Sequence, residues 1–383
     1  MTGDSPAPDT RDGEGSAPGL QAHTPGLTAP PPTPAGIRHH WGKALLAIVS
    51  ILATIAVLWF LARQNRGFSL EQFASVFSGM HLGWFAFALA LCLAAYIVRG
   101  LRWASFVAPY APHPSLVDIV ANTFIGFAAV VIIGRPAELL RPYLLARQLG
   151  VSFPSQVGAW MLERIYDLLS ILALAGWALL TIDAASLPPE SPIGNAIHTG
   201  GGIVFGASVA ALGVLLAFTF AVETASQRLR DALAFLPQHR RETVYGLIET
   251  FSSALGVSRH PAILLRVISW TLLHWAVVGL ATWAIFQSFS SSAHLSLSEA
   301  FRFLAILALA SAIPIPFLVG GFYLVSLALL TEWLRLPLED SSGITLVTWV
   351  LQMGIAIPIG ALAALRSGLN WRKIKSMKQE AHL

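Results

Sequence analysis

Six apolar stretches decide what this 383-residue chain can become, at about 43–62, 81–98, 157–182, 203–222, 263–286 and 344–365. A helix rises 1.5 Å per residue, so roughly 20 apolar residues cross the roughly 30 Å of hydrocarbon in a bilayer. Each stretch is about that long. In lipid every backbone polar group must find its partner internally, and a helix does this within one segment. Hydrophobic residues make up 55% of the chain and charged residues 11%, against roughly 25% charged in soluble domains. A water-soluble core could not hide that much apolar side chain. The expected fold is all-α and polytopic, with about six full spans.

Two further apolar stretches fit a span badly. The first, about 116–133, carries Asp118 and Asn122 and ends at Gly134-Arg135-Pro136. The second, about 303–333, is too long for one crossing and is interrupted by Pro314, Pro316, Gly320 and Gly321. Basic residues favour cytoplasmic loops, and their distribution arbitrates. Loops 183–202 and 287–301 have no Lys or Arg, whereas 223–262 holds Arg228, Arg230, Arg240, Arg241 and Arg259. Letting every stretch cross would place that basic loop outside. Letting 116–147 and 303–333 dive in and return on the same side puts each of these loops correctly, with Arg63 and Arg66 the one misplaced pair. The result is two re-entrant hairpins in an inverted repeat, with halves at about 43–182 and 203–366. Eight plain spans are the alternative. Arg38 and Lys43 before the first span, and Arg366, Arg372, Lys373, Lys375 and Lys378 after the last, place both termini in the cytoplasm.

Outside the expected membrane domain, 37–370, residues 1–36 contain eight Pro and six Gly. Such a segment buries too little to offset its ordering entropy and reads as a disordered tail; 371–383 reads as a basic cytoplasmic tail. Two amphipathic stretches join the spans. Val244, Leu247, Ile248, Phe251 and Leu255 suit an interfacial helix, and Leu70, Phe73, Phe77 and Met80 suit a weaker one on the outer side. Either could equally pack on the bundle.

The chemistry concentrates in the first half. Pro136 suits the first position of a new half-helix, where its missing donor costs nothing. Arg135 would stand beside the positive end of that half-helix, and a cation with free amides makes an anion site. Arg135, Glu138 and Arg141 follow at i,i+3 and share a face. On the next span, Glu163 and Asp167 share a face, with Arg164 in reach of Asp167. Two carboxylates in a bilayer persist where cations offset them; Arg135 and Arg141 are the available partners. The group is either an ion-pair clamp or a clamp that also lines a headgroup site. Arg99, Arg102 and Trp103 read as a snorkelling anchor with an interfacial Trp at the end of the second span. His274 is mid-span and isolated. No metal-ligand spacing, phosphate-binding loop or nucleophile motif is present, and Cys92 is the single cysteine, so neither metal nor cofactor is expected. The basic residues flank apolar runs, which argues against nucleic acid as a partner.

Leu101-Arg102-Trp103, Asn122, Gly134-Arg135…Glu138…Arg141, Glu163-Arg164…Asp167 and the late Pro314-Ile315-Pro316…Gly320-Gly321 together resemble the flippase-like family, also called the lysylphosphatidylglycerol synthase transmembrane region. The likeness covers about 40–370. It implies a protein of a bacterial or archaeal cell membrane that moves a lipid across the bilayer, with Arg135, Glu138, Arg141, Glu163, Arg164, Asp167 and Asn122 as headgroup ligands. Gly134, Pro136, Pro314, Pro316, Gly320 and Gly321 would be its structural breaks. Two departures stand out. The family's late Gly-Gly-x-Gly-x-x-Glu motif has Tyr323 and Ser326 at its fourth and seventh positions here, and Ala137 replaces a frequent Gly. The synthase reaction of the family needs a separate cytosolic domain, which this sequence does not offer, so no enzymatic activity is expected.

The expectation is therefore a flippase or scramblase for an anionic or zwitterionic lipid in the bacterial inner membrane, with membrane lipids and a lipid-modifying enzyme as partners. A glycosyltransferase using a polyprenyl-phosphate donor is one alternative, although Glu71 is the only carboxylate on the first outer loop. A non-transporting scaffold is another.

Overall fold

A computed structural model describes residues 68–108, 115–181, 261–312 and 318–367, with scattered positions between 203 and 248. The tails, the first expected span at 43–62, most of 203–222, Pro314 and Pro316 lie outside the described residues, as do Leu247, Phe251 and Leu255 of the expected inner interfacial helix. Among the described residues the regular structure is helical and no strand occurs.

Among the described residues, five helices are long and apolar enough to cross a membrane: Leu82–Val107, Leu116–Ile133, Phe153–Thr181, Pro261–Gln287 and the continuous Leu338–Arg366. This is a multi-pass membrane protein. The spans expected at 81–98, 157–182, 263–286 and 344–365 are all present, but the first ends later and the last begins earlier than their apolar runs. The difference matters at Leu82–Val107, which carries Arg99 and Arg102 well inside the helix.

The described residues open with α1, Leu70–Ser78, capped by the Ser69 hydroxyl accepting from the Gln72 amide at 3.2 Å. The Ser69 amide donates to Glu339 at 3.0 Å, and Val76, Phe77 and Met80 lie against the apolar core. This helix is therefore packed on the bundle, not lying free at the interface. Next come α2 (Leu82–Val107) and α3 (Leu116–Ile133). Gly134 ends α3 with φ 94°, a left-handed conformation that costs glycine least. A 3-10 turn, Arg135–Leu139, with Pro136 in its first residues, feeds α4, Leu140–Leu149. The two arms run antiparallel: Asn122 on α3 donates to Gln148 on α4, and Gly126 lies against Arg141. The chain thus turns back where Gly134-Arg135-Pro136 predicts.

Helix α5, Phe153–Thr181, completes the first half, and α6, Val222–Ala232, lies in the basic loop. The second half holds α7 (Pro261–Gln287), α8 (Leu297–Ala312), α9 (Leu318–Ala328, continued by a π turn to Trp333), α10 (Leu338–Trp349) and α11 (Ala356–Arg366). A π turn at Val350–Gly354 joins the last two into one rod. Gly320 and Gly321 stand in the first turn of α9 and do not break it. Glycine weakens a helix by about 1 kcal/mol without interrupting it, so apolar neighbours such as Leu324 and Val325 carry the helix through.

Two of the three apolar clusters among the described residues are large. One gathers Ala88, Cys92, Ile285, Phe286, Phe289, Phe303, Phe322 and Ile344; the other gathers Trp103, Phe106, Ile119, Leu145, Leu162 and Val267. Helices α2 and α7 cross both, running antiparallel: Trp84 meets Trp283 edge-on at 5.2 Å at one end, and Arg102 meets Thr271 further along.

Candidate functional site

Helical pitch builds the site. Arg99 and Arg102 are one turn apart on α2, Glu163 and Asp167 one turn apart on α5, and each pair therefore presents one face to the other. The Arg102 guanidinium spans both carboxylates, donating to Asp167 Oδ1 at 2.7 Å and to Glu163 Oε1 at 2.8 Å. It donates further to Thr271 Oγ1 on α7 at 3.3 Å and is fully buried. Arg99 donates to Asp167 Oδ2 at 3.1 Å. Arg141 enters from the turned-back arm α4, donating to Glu163 Oε2 at 3.1 Å and to the Arg99 carbonyl at 3.4 Å. Arg164 reaches Glu163 at 3.5 Å and Asp167 at 3.4 Å from the exposed side.

Aromatic faces fix the cations. The Arg141 guanidinium lies 4.0 Å above the Trp103 ring and that of Arg99 4.7 Å above Phe127, contacts that strengthen when desolvated. Trp103 is itself buried, its indole N–H donating to Gln156 at 3.1 Å. At 1.5 Å per residue, Glu163 and Asp167 lie about 15 and 21 Å into a helix about 43 Å long. The cluster is thus well inside the span.

The snorkelling-anchor reading of Arg99, Arg102 and Trp103 is overturned. Helix α2 continues nine residues beyond the expected end, to Val107, so these side chains face α5 and not the headgroup layer. Arg99, Arg102 and Arg164 join Arg141 in meeting the two carboxylates. The signal available was the matched spacing of two basic and two acidic residues on neighbouring helices. A positive-inside anchor explained Arg99 and Arg102 locally, which hid it.

The other expected ligands are placed as follows. Glu138 is half-buried on the 3-10 turn, close enough for its charge to act on Arg164. The side chains of Arg135 and Pro136 lie outside the described residues; the Arg135 backbone opens the turn after Gly134. Asn122 is buried and ties the two hairpin arms together through Gln148, apart from the ion pairs. His274 is buried on α7 one turn beyond Thr271, edge-on to Trp275 at 5.8 Å, and its Nδ1 has no partner among the described residues.

Four guanidiniums share two carboxylates here, and Glu138 adds its charge beside Arg164, so positive charge is in excess. The Nε–H groups of Arg99, Arg102, Arg141 and Arg164 are buried with no acceptor among the described residues. A buried donor without a partner costs about 1–3 kcal/mol. Arg164 keeps 37% of its side chain exposed while paired to both carboxylates, and cations within a span face the bundle interior or a water-filled cavity. The arrangement can hold an anion with charge-assisted bonds while its own carboxylates keep the cations in place. Among the described residues no group of His, Cys, Asp or Glu could hold a metal ion.

Gly126 sets how closely the arm carrying Arg141 approaches. A Cβ there would lie 2.8 Å from the Arg141 Cβ. Gly126→Val should therefore destabilise the protein by about 1–3 kcal/mol through overpacking, read as a lower unfolding midpoint in detergent; an unchanged midpoint would mean the arms separate freely.

A family model described as the lysylphosphatidylglycerol synthase TM region matches residues 46–364. No curated protein matches the chain.

Proposed function

Because the chain belongs to the lysylphosphatidylglycerol synthase TM region family, whose members are membrane proteins concerned with lipids, we propose that it moves an anionic or zwitterionic phospholipid, aminoacylated lipid or polyprenyl-phosphate across the bilayer. The cationic excess of the α2–α4–α5 cluster carries this reading. A lipid phosphate would take the unpaired guanidinium donors, entering past Arg164 while its acyl chains stay in the hydrocarbon. Glu163 and Asp167 would re-form their ion pairs as the phosphate leaves, so the arginines are never stranded.

The α3–α4 hairpin and its counterpart α8–α9 would enter and leave the bacterial inner membrane on one side, leaving both termini cytoplasmic. Non-helical backbone at that depth is tolerated where it lines a cavity, and broken helices at a repeat interface suit substrate binding. The lipid crosses chemically unchanged, driven by its own gradient or by a coupled ion; no covalent step is required of the chain. A pure ion-pair clamp explains the short bonds of Arg102. It does not explain a one-third exposed Arg164 or four unpaired Nε–H groups.

Transfer of a fluorescent phosphatidylglycerol in vesicles of phosphatidylethanolamine and phosphatidylglycerol tests this. Arg164→Gln removes one charge-assisted bond, worth about 1.5–3 kcal/mol, so transfer should slow by about tenfold or more. Arg135→Ala should abolish transfer while expression survives. Wild-type rates in both variants would remove the headgroup site.

A further inference from the structure

The packed helix pairs exchange under one swap of elements: α2 for α7, α3 for α8, α4 for α9, and α5 for the α10–α11 rod. The α2–α7 pair maps onto itself, α3–α11 onto α8–α5, α2–α3 onto α7–α8, and α4–α5 onto α9–α10; all of these pairs are in contact. Helix α5 and the rod are each 29 residues long. Positions therefore correspond. Asp167 is the fifteenth residue of α5 and Gln352 the fifteenth of the rod, while Arg102 and Thr282 each stand five residues before the end of α2 and α7.

The corresponding residues also bond to one another. Where Arg102 holds Asp167 at 2.7 Å, Gln352 Nε2 donates to Thr282 Oγ1 at 3.0 Å. The Thr282 hydroxyl donates its own proton to the Val278 carbonyl at 2.9 Å, which leaves the oxygen free to accept. Tyr96 on α2 adds a third group, its hydroxyl donating to the Gln352 carbonyl at 2.8 Å. Thr282 is fully buried and Gln352 half-buried. The second observation is independent of the first: Gln352 sits in the middle of the Val350–Gly354 π turn. Such turns break the regular bonding of a helix and cluster at functional sites. The second half thus repeats one bond of the ion cluster, Arg102 to Asp167, without its charge.

We propose that Gln352, held in place by Thr282 and the Tyr96 hydroxyl, forms a second, uncharged headgroup station whose side-chain amide takes the hydroxyl and ester oxygens of a glycerophospholipid headgroup on its way to or from the arginine cluster. This rests on the transport reading above. Thr271, at the ion cluster, and Thr282 are about 16 Å apart along α7, about half the hydrocarbon thickness, so the two stations divide the crossing. Neutral hydrogen bonds are roughly half as strong as charge-assisted ones. A headgroup therefore passes this station without being trapped, and no carboxylate there repels its phosphate.

The lone native cysteine, Cys92, is buried, so a Cys92→Ala background reports on introduced thiols alone. In it, Gln352→Cys, with Thr282→Cys as the second reporter, is exposed to a charged, membrane-impermeant methanethiosulfonate with and without dihexanoylphosphatidylglycerol. Labelling that the short-chain lipid slows is the expected result. Absence of labelling at both positions, or labelling that the lipid leaves unchanged, overturns the station. Vesicle transfer of the fluorescent phosphatidylglycerol is the companion measurement. Gln352→Ala should slow it about fivefold, the factor for one ordinary hydrogen bond, and the near-isosteric Gln352→Glu should slow it more, by placing a carboxylate on the path. Wild-type transfer by Gln352→Ala overturns the station even if labelling succeeds. A wild-type protein that transfers no lipid but shows lipid-protected labelling overturns transport and leaves the station as a binding site.

Discussion

Arg102→Met should be the most destabilising single substitution in the protein, costing about 3–5 kcal/mol, the range for removing one partner of a buried ion pair. Arg102 is the guanidinium that touches both carboxylates, at 2.7 and 2.8 Å, and it is fully buried. Without it, Glu163 keeps Arg141 and Asp167 keeps Arg99, with Arg164 at longer range on both. One oxygen of each carboxylate then loses its short bond in a medium that solvates it poorly. Unfolding in a denaturing-detergent titration measures the loss; a shift below about 1 kcal/mol would mean that water reaches the carboxylates and the cluster is not buried in the membrane. Apolar replacement of a whole buried ion-pair group is often neutral. Arg99→Met and Arg102→Met combined with Glu163→Gln and Asp167→Asn, which removes two cations with the two carboxylates, should therefore recover much of the stability that the single change loses.

That fourfold variant should nevertheless transfer lipid on the order of a hundredfold more slowly than the native chain. It removes the carboxylates that hold Arg141 and Arg164 in register, as well as two cations. Two charge-assisted bonds to a phosphate, at about 1.5–3 kcal/mol each, correspond to at least that factor. The pair of measurements separates scaffold from site. Recovered folding with native transfer would assign the ion pairs to structure alone. Recovered folding with lost transfer would assign them to the headgroup.

Parts of this arrangement are written in single segments of the chain. Leu82–Val107, Phe153–Thr181 and Pro261–Gln287 are legible as apolar runs of spanning length, because lipid offers the backbone no partner outside its own helix. The turn at Gly134 is legible because a glycine followed by Arg135-Pro136 both permits φ 94° and starts a new helical turn. Glu163 and Asp167 announce a cationic partner by their cost in a bilayer.

The identity of that partner is a different kind of fact. Arg99 and Arg102 beside Trp103 fit a membrane-surface anchor as well as an interior cluster, and their own helix does not distinguish the two. What distinguishes them is that α2 runs to Val107 and lies against α5, with Arg141 brought in by the returning arm α4. Gln352 is less visible still, since its counterpart relation to Asp167 exists only once the two halves are seen to exchange their packed pairs. Hydrophobic length and turn chemistry are local quantities, fixed by consecutive residues. The choice of which charge meets which across three helices depends on how those helices cross, and that is settled by side-chain fit between segments far apart in the chain, such as Gly126 against Arg141 and Gly360 against Phe124.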